Sequence, residues 1–421
     1  MKAHVGGETF AQASLLANLR SSVEPRNRPL SPKRPPTELA GLADLFPYYA
    51  GFSFEWARET LLSASGGLAG VVLDPWNGSG TTTLAAQMAG MPSVGVDLNP
   101  VANIVAHLRA NIAPASLLTS PPNADICAED DPLLAWFSPP TASRLRSWSS
   151  LATSSPQGVR ALALVALFRV VRELTRSFQG SNPTWVRRTS PDRPQVAIES
   201  EELDALLLKE QRDISKRLES HMRVGVRPIL VNSSAKALPI ASDSIDLVLT
   251  SPPYLTRIDY AVAYARELAV LGTDILANRS LREHLMGTTL IRPVDARLGA
   301  IYGPTANQLV KAISEHQSKA SRGYYLKQAC QYLNDLVDSL DEISRVCKKG
   351  AVAIFVVQDS YYKDAPIRLA DICEEEANLR GWTTTEKRPF EVSRTLTSLN
   401  KAAKLYPKGK VSETVLTLKR V

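Results

Sequence analysis

The stretch LTSPPY at 249–254 puts a hydroxyl, two prolines and an aromatic ring directly after the apolar run that starts at Ile245. The run reads as a buried strand, and two prolines, which offer no N–H, must end it. That end exposes the Ser251 hydroxyl, the Pro252 carbonyl and the face of Tyr254. The set suits chemistry on an amine attached to an aromatic ring. There the nitrogen lone pair is delocalised, and an oxygen accepting each N–H would localise it and aim it at an electrophile. Ser251 can supply one oxygen and the Pro252 carbonyl the other, with Pro252 and Pro253 holding that carbonyl in place. Tyr254 offers a ring on which an extruded base can stack. No strong base is needed, because the amine can lose its proton after transfer.

A second loop, DPWNGSGTTT at 74–83, follows a strand and opens a helix. Its glycines let backbone approach a ligand, and a helix N-terminus presents free N–H groups. Asp97 ends the next strand, where a carboxylate can accept hydrogen bonds from both hydroxyls of a ribose. No lysine follows Gly80, which removes a phosphate-cradling P-loop. Thr83 stands where a dinucleotide fingerprint needs glycine; a nicotinamide-dependent oxidoreductase is thereby weakened, though the spacing to Asp97 keeps it open. The remaining ligand is an adenosine with an amino-acid tail, S-adenosylmethionine, whose ammonium Asp74 can meet directly or through water.

The surrounding elements are those of a layered α/β protein. Within 41–112, GFSFEWARETLLSA, TTTLAAQMAG and VANIVAHLRANI read as helices and GVVLD and PSVGVDLNP as strands. Strands alternating with helices predict a parallel sheet covered on both faces. Alternation breaks over 113–227, where one helix starts at Pro156 and a charged one at Glu199, with QGSNPTWVRRTSPDRPQ between them. Strands resume with RPILVN and SIDLVLT, helices are expected near 260–272 and 323–347, and AVAIFVV is a strand. A helix IRLADICEEEANLR and an antiparallel pair, TTTEKRPFEVS and SETVLTLKR, close the chain. The expected fold is a doubly wound, mostly parallel sheet. A cofactor-binding half over 41–112 and a catalytic half over 228–421 flank a helical insertion over 113–227. Residues 1–40 form a basic, proline-rich arm.

With both loops in view, the chain resembles the exocyclic-amino DNA methyltransferases, S-adenosylmethionine-dependent enzymes of the Rossmann-like class I type. DPWNGSGTT is similar to that family's DPFxGSGTT loop, VGVDLNP to its ribose-binding strand end and ASDSIDLVLTSPPY to its catalytic strand. FPYYAGFSFEW at 46–56 resembles the segment that packs on the cofactor's methionine part. LDEISRVCKKGAVAIFVVQDS resembles the helix and strand after the catalytic loop. The resemblance implies cofactor contacts from Tyr49, Asp74, Asn77, Gly78, Ser79, Gly80, Thr81, Asp97 and Leu98. It implies catalytic roles for Ser251, Pro252, Pro253 and Tyr254. TSPPY is more typical of members acting on cytosine N4, a leading Asp or Asn of those acting on adenine N6. Cytosine N4 in double-stranded DNA is therefore the implied target, with adenine N6 or an RNA base as alternatives. Carbon-5 chemistry needs a cysteine after proline, and none of the four cysteines has one. The glycine loop precedes the catalytic loop here, whereas its wording is closest to members with the opposite order. The insertion is then the natural target-recognition region, and sequence specificity cannot be transferred from relatives. The helix after the turn, with Arg257, Asp259, Tyr260 and Tyr264, is expected to shape the base pocket.

Charge points the same way. The net charge is +7, and 141–198 alone holds nine arginines against Glu173 and Asp192, a surplus equal to that total. Arginine favours bidentate contact with phosphate or guanine, so Arg144, Arg146, Arg187, Arg188 and Arg193 are candidate DNA contacts. A basic stretch at 394–410 is a second candidate. An inactive DNA-binding protein with the same fold is a rival reading. A cognate restriction endonuclease or another defence component is a further expected partner. No apolar run approaches the ~20 residues of a membrane span, and the N-terminus lacks a secretory apolar core. Four dispersed cysteines without CxxC spacing argue for a reducing cytoplasm and no metal, and the resemblance implies a prokaryotic, nucleoid-associated protein.

Overall fold

The computed structural model describes residues 31–33, 42, 45–47, 51–65, 70–110, 116–122, 127–180, 185–220, 226–255, 258–292, 302–318, 320–391 and 411–421. Tyr49, Arg257, the 394–410 stretch and nearly all of the 1–40 arm lie outside them.

Helix α1 (Phe54–Ala64) begins where the Ser53 hydroxyl accepts the Trp56 N–H at 3.2 Å, a side-chain N-cap. Then come β1 (Val72–Asp74), α2 (Thr81–Met88), β2 (Ser93–Asp97) and α3 (Pro100–Ala110). The insertion supplies α4 (Pro139–Thr153), α5 (Gln157–Leu174) and α6 (Ser200–Glu219). After it come β3 (Ile229–Asn232) and β4 (Ile245–Thr250), then short helices Tyr260–Ala263, Ala265–Val270 and Ser280–His284. The chain continues with α7 (Pro304–Glu315), α8 (Leu326–Val346), β5 (Cys347–Gln358), a small hairpin of β6 (Ser360–Tyr362) and β7 (Ala365–Ile367), and α9 (Leu369–Asn378). It ends with β8 (Trp382–Glu391) and β9 (Ser412–Arg420).

Seven strands form one sheet in the order β3-β2-β1-β4-β5-β9-β8. The first five run parallel, and β9 lies antiparallel between β5 and β8. This is a doubly wound, mostly parallel α/β sheet. Side-chain alternation sends Leu73, Val248, Ala353 and Phe355 to one face, where α8 covers them with Leu333, Leu336, Leu340 and Ile343. Val72, Leu247, Leu249, Ile354 and Val356 face the other way, against Trp56, Ala57 and Leu61 of α1 and Ala85 and Ala86 of α2. A third core joins α3, the insertion and the short helices after β4. Helix α5 is its axis: residues 161–168 are buried without a break, so it is enclosed on all sides.

The direction of winding changes between β1 and β4. Chain order runs from β1 outward to β2 and β3, then returns to place β4 on the other side of β1. In open α/β sheets the carboxyl ends of strands at such a reversal bound a crevice where ligands bind. Asp74, Asp97 and Ser251 all stand at or directly after those ends.

Candidate active site

Asp74 is the joint between the two loops. Its Oδ1 accepts from Thr250 Oγ1 at 2.6 Å and from the Trp76 N–H at 3.1 Å, while Oδ2 accepts from Thr82 Oγ1 at 2.6 Å. The residue is 3% exposed, and burial pushes its carboxyl up to about 6 despite these donors. It thus ties the end of β4, just before the SPPY turn, to the start of α2. Both of its carboxylate oxygens are therefore engaged by the chain's own donors. Thr250 and Thr82, which make the tie, lie within the TSPPY and DPWNGSGTT motifs but carry no site role in the sequence reading.

The glycine loop rides on β2. The Asn77 N–H donates to the Val96 carbonyl at 3.0 Å, and the Gly78 N–H donates to Asp97 Oδ2 at 2.8 Å. Gly80 sits at φ +85, and a Cβ there would lie 2.9 Å from Ala106 Cβ, so only glycine lets α2 pack this closely on α3. Ser79 is buried, with its hydroxyl and carbonyl taken by the Arg109 guanidinium at 2.6 and 3.0 Å. Asn77 and Thr81 are buried as well. Of this loop, Pro75 and Trp76 line a cleft, while Asp74, Asn77, Ser79 and Thr81 are buried.

That cleft is open to solvent. One wall is Pro75, Trp76, Asp97, Leu98 and Asn99, and the end beyond β3 is Ser234, Ala235 and Lys236. Ser251, Pro253 and Tyr260, all after β4, form a second wall, with His284, Leu285 and Met286 above. Asp97 is partly exposed, and its Oδ1 accepts the Asn99 N–H at 2.8 Å. Burial raises its carboxyl to about 6, opposed by the two backbone donors. Asn232 Nδ2 donates to the carbonyls of Asp97 and Leu98 at 2.9 and 3.0 Å, which sets the strand end. Asn99 Nδ2 is buried without a hydrogen-bond partner among the described residues.

Of the predicted catalytic turn, Ser251 and Pro253 line the cleft, Pro252 is buried and Tyr254 lies to the side. The Tyr254 ring packs partly on the second core, and its Oη is 3.4 Å from Ser251 Oγ. Tyr260, not Tyr254, is the tyrosine in the wall, and burial raises its phenol well above the ordinary value. Asp259 anchors the upper wall: its Oδ2 accepts from Arg282 Nη2 at 2.9 Å and from Thr289 Oγ1 at 2.8 Å. Tyr264 is fully buried in the core.

The arginine-rich insertion divides. Arg144 is 7% exposed and grips Asp204 with two nitrogens, while Arg146 binds Asp131 and the carbonyls of Ala269 and Val270. Both were expected on a DNA-facing surface; the structure turns them inward as struts, because carboxylates distant in sequence fold beside them. Arg172 pairs with the fully buried Glu267. Arg187 and Arg188 are exposed, the latter paired with Asp274 at 3.0 Å, and Arg193 lies 5.8 Å from the Phe178 ring centroid. Trp185, 51% exposed, stands beside them in the chain.

Among the described residues no cluster of His, Cys, Asp and Glu could hold a metal, and no helix is long and apolar enough to cross a membrane. No family model matches the chain. Several solved structures overlap it loosely. A SAM-dependent methyltransferase from Methanosarcina mazei is 9% identical, covers 84% of this chain and 92% of its own, and gives a TM-score of 0.30. The rRNA methyltransferase aviRa from Streptomyces viridochromogenes is 11% identical over 91% of this chain and 94% of its own, also at 0.30. Overlaps at that level are slight, so the fold is read from the strand order. In sequence, the chain is 25% identical over 377 residues, 75% of its length and 73% of the other's, to the type II methyltransferase M.BsoBI of Geobacillus stearothermophilus.

Proposed function

We propose that this chain transfers a methyl group from S-adenosylmethionine to the exocyclic amino group of a base flipped out of duplex DNA, with cytosine N4 as the target. One observation carries the reading: Asp97 and Ser251 line the same cleft at the reversal of strand order. Similarity to a type II methyltransferase supports the reaction class.

The cleft suits the cofactor. Asp97 accepts from ribose hydroxyls, Leu98 and Ala235 offer apolar surface, and the unpartnered Asn99 Nδ2 is a buried donor in want of an acceptor. Bound there, S-adenosylmethionine supplies an electrophilic methyl on its sulfonium. Ser251 Oγ and the Pro252 carbonyl accept the two N–H bonds of the target amine, so its lone pair turns toward the methyl. Tyr260, Leu285 and Met286 exclude water and pack on the base. The amine's proton leaves for solvent after transfer. The exposed Arg187 and Arg188 and the partly buried Arg193, with Trp185, form the DNA-facing part of the insertion, since Arg144 and Arg146 are held inside.

The test is direct. Purified protein is incubated with duplex DNA and methyl-labelled cofactor, the DNA is digested, and the modified nucleoside is identified by mass. N4-methylcytosine is expected. N6-methyladenine would move the target to the alternative base, label in RNA alone would change the polymer, and no label would remove the reading.

A further inference from the structure

Two successive carbonyls in the SPPY turn are treated differently. The Pro253 carbonyl accepts a hydrogen bond from Tyr332 Oη at 2.7 Å, whereas among the described residues no donor reaches the Pro252 carbonyl. Backbone chemistry explains why the two need different support. A residue before proline is sterically restricted to extended ψ, so the Pro253 ring itself aims the Pro252 carbonyl. Pro253 precedes Tyr254, and its own ring fixes φ but not ψ. Its carbonyl, and with it the placement of Tyr254, needs an external tether.

Tyr332 is built for that task. It sits on α8 at 2% exposure, in the core that also takes in Leu333 and Leu336, so its ring has a fixed location. Burial holds its phenol well above the ordinary value, which favours the protonated O–H as a donor. From another direction Gly287, at φ +78, brings backbone onto the turn. A Cβ there would lie 3.3 Å from the Tyr254 carbonyl oxygen and 3.6 Å from Pro253 Cβ.

We propose that Tyr332 is a positioning residue for methyl transfer: by capping the Pro253 carbonyl it locks the turn so that only the Pro252 carbonyl, beside Ser251, is presented to the target amine. The proposal rests on the function proposed above. Tyr332 is not among the residues lining the cleft, and its influence passes through the ψ angle of Pro253.

Tyr332→Phe deletes one oxygen and keeps the ring. Small misplacements of reacting groups cost on the order of 10²-fold in rate. The expected result is a ten- to hundredfold lower single-turnover rate of methyl transfer to DNA. The cofactor Kd, the KM for DNA and the Tm should stay at wild-type values. Placing 4-aminophenylalanine at position 332, which restores an N–H donor at the same point, should recover most of the rate. An unchanged rate in Tyr332→Phe, with wild-type protein active, would overturn this proposal alone. So would a loss of cofactor affinity and Tm in step with the rate, since the contact would then be a strut of the fold. Wild-type protein that methylates no DNA would overturn the function and this proposal together.

Discussion

Among the described residues Ser251 has one hydroxyl neighbour, Tyr254 Oη at a long 3.4 Å, and it lines the cleft. An oxygen so loosely engaged is free to accept from an incoming amine, and removing one such preorganised partner typically costs 10²–10³ in rate. Ser251→Ala should therefore lower methyl transfer by about 10²-fold and leave cofactor affinity intact, read by label incorporation and by calorimetry; a joint loss would place Ser251 in cofactor binding. Asp97 carries a pH signature. Its carboxyl stands near 6 in the folded chain against 3.8 for the free group. A raised carboxyl favours the folded state below the free value, and that contribution is lost as pH rises through 6. Cofactor binding has the opposite sign, because ribose hydroxyls donate to the ionised form. Affinity should rise with pH up to about 6 and level off above it, with a Kd about tenfold weaker at pH 5 than at pH 7. Asp74 titrates in the same range. Asp97→Asn separates the two: a flat profile assigns the dependence to Asp97, a persisting one to Asp74.

At the scale of elements, the strands were legible because a buried apolar run closed by Pro or Gly fits little besides a strand. GVVLD, PSVGVDLNP, SIDLVLT and AVAIFVV contain β1, β2, β4 and most of β5, and the closing antiparallel pair is β8 with β9. Helix α4 is masked in the sequence because its serines are weak helix formers. Yet Ala142, Leu145, Trp148 and Ala152, all buried, recur at helical spacing behind two prolines suited to a helix start. The hairpin of β6 and β7 has three residues per strand, too few for periodicity to register. The fate of the arginines was not legible at all. Arg144, Arg146 and Arg172 meet carboxylates 60, 15 and 95 residues away, and only the folded chain brings those together. Arg172 ties α5 to the helix Ala265–Val270 through Glu267, which has no exposure. Truncating one partner of a buried pair strands the other's charge and costs about 3–5 kcal/mol. Arg172→Ala should lower unfolding stability by that amount in denaturant titration, whereas Arg187→Ala, exposed, should stay within about 0.5 kcal/mol.

Over the whole molecule, the net charge of +7 overstates the surface available to a polyanion, since part of the arginine surplus neutralises the protein's own carboxylates. Among the arginines that stay exposed in the insertion, Arg187 and Arg188 beside Trp185 lie next to residues 271–276 through the contact of Arg188 with Asp274. That segment follows the SPPY turn within the same half of the chain, so phosphate contacts there would hold a duplex near the cleft. Each phosphate neutralised by an arginine releases counterions and contributes about 0.9 to the slope of log affinity against log salt. Arg187→Ala should lower that slope by about 1 and weaken binding evenly across sequences. Arg188→Ala should do less, because its guanidinium is already shared with Asp274. Arg144→Ala should leave the slope unchanged and appear only as lost stability, its partner Asp204 being internal. Equal slopes for wild type and Arg187→Ala would mean that the duplex is held elsewhere and that the insertion's role is to brace the catalytic half.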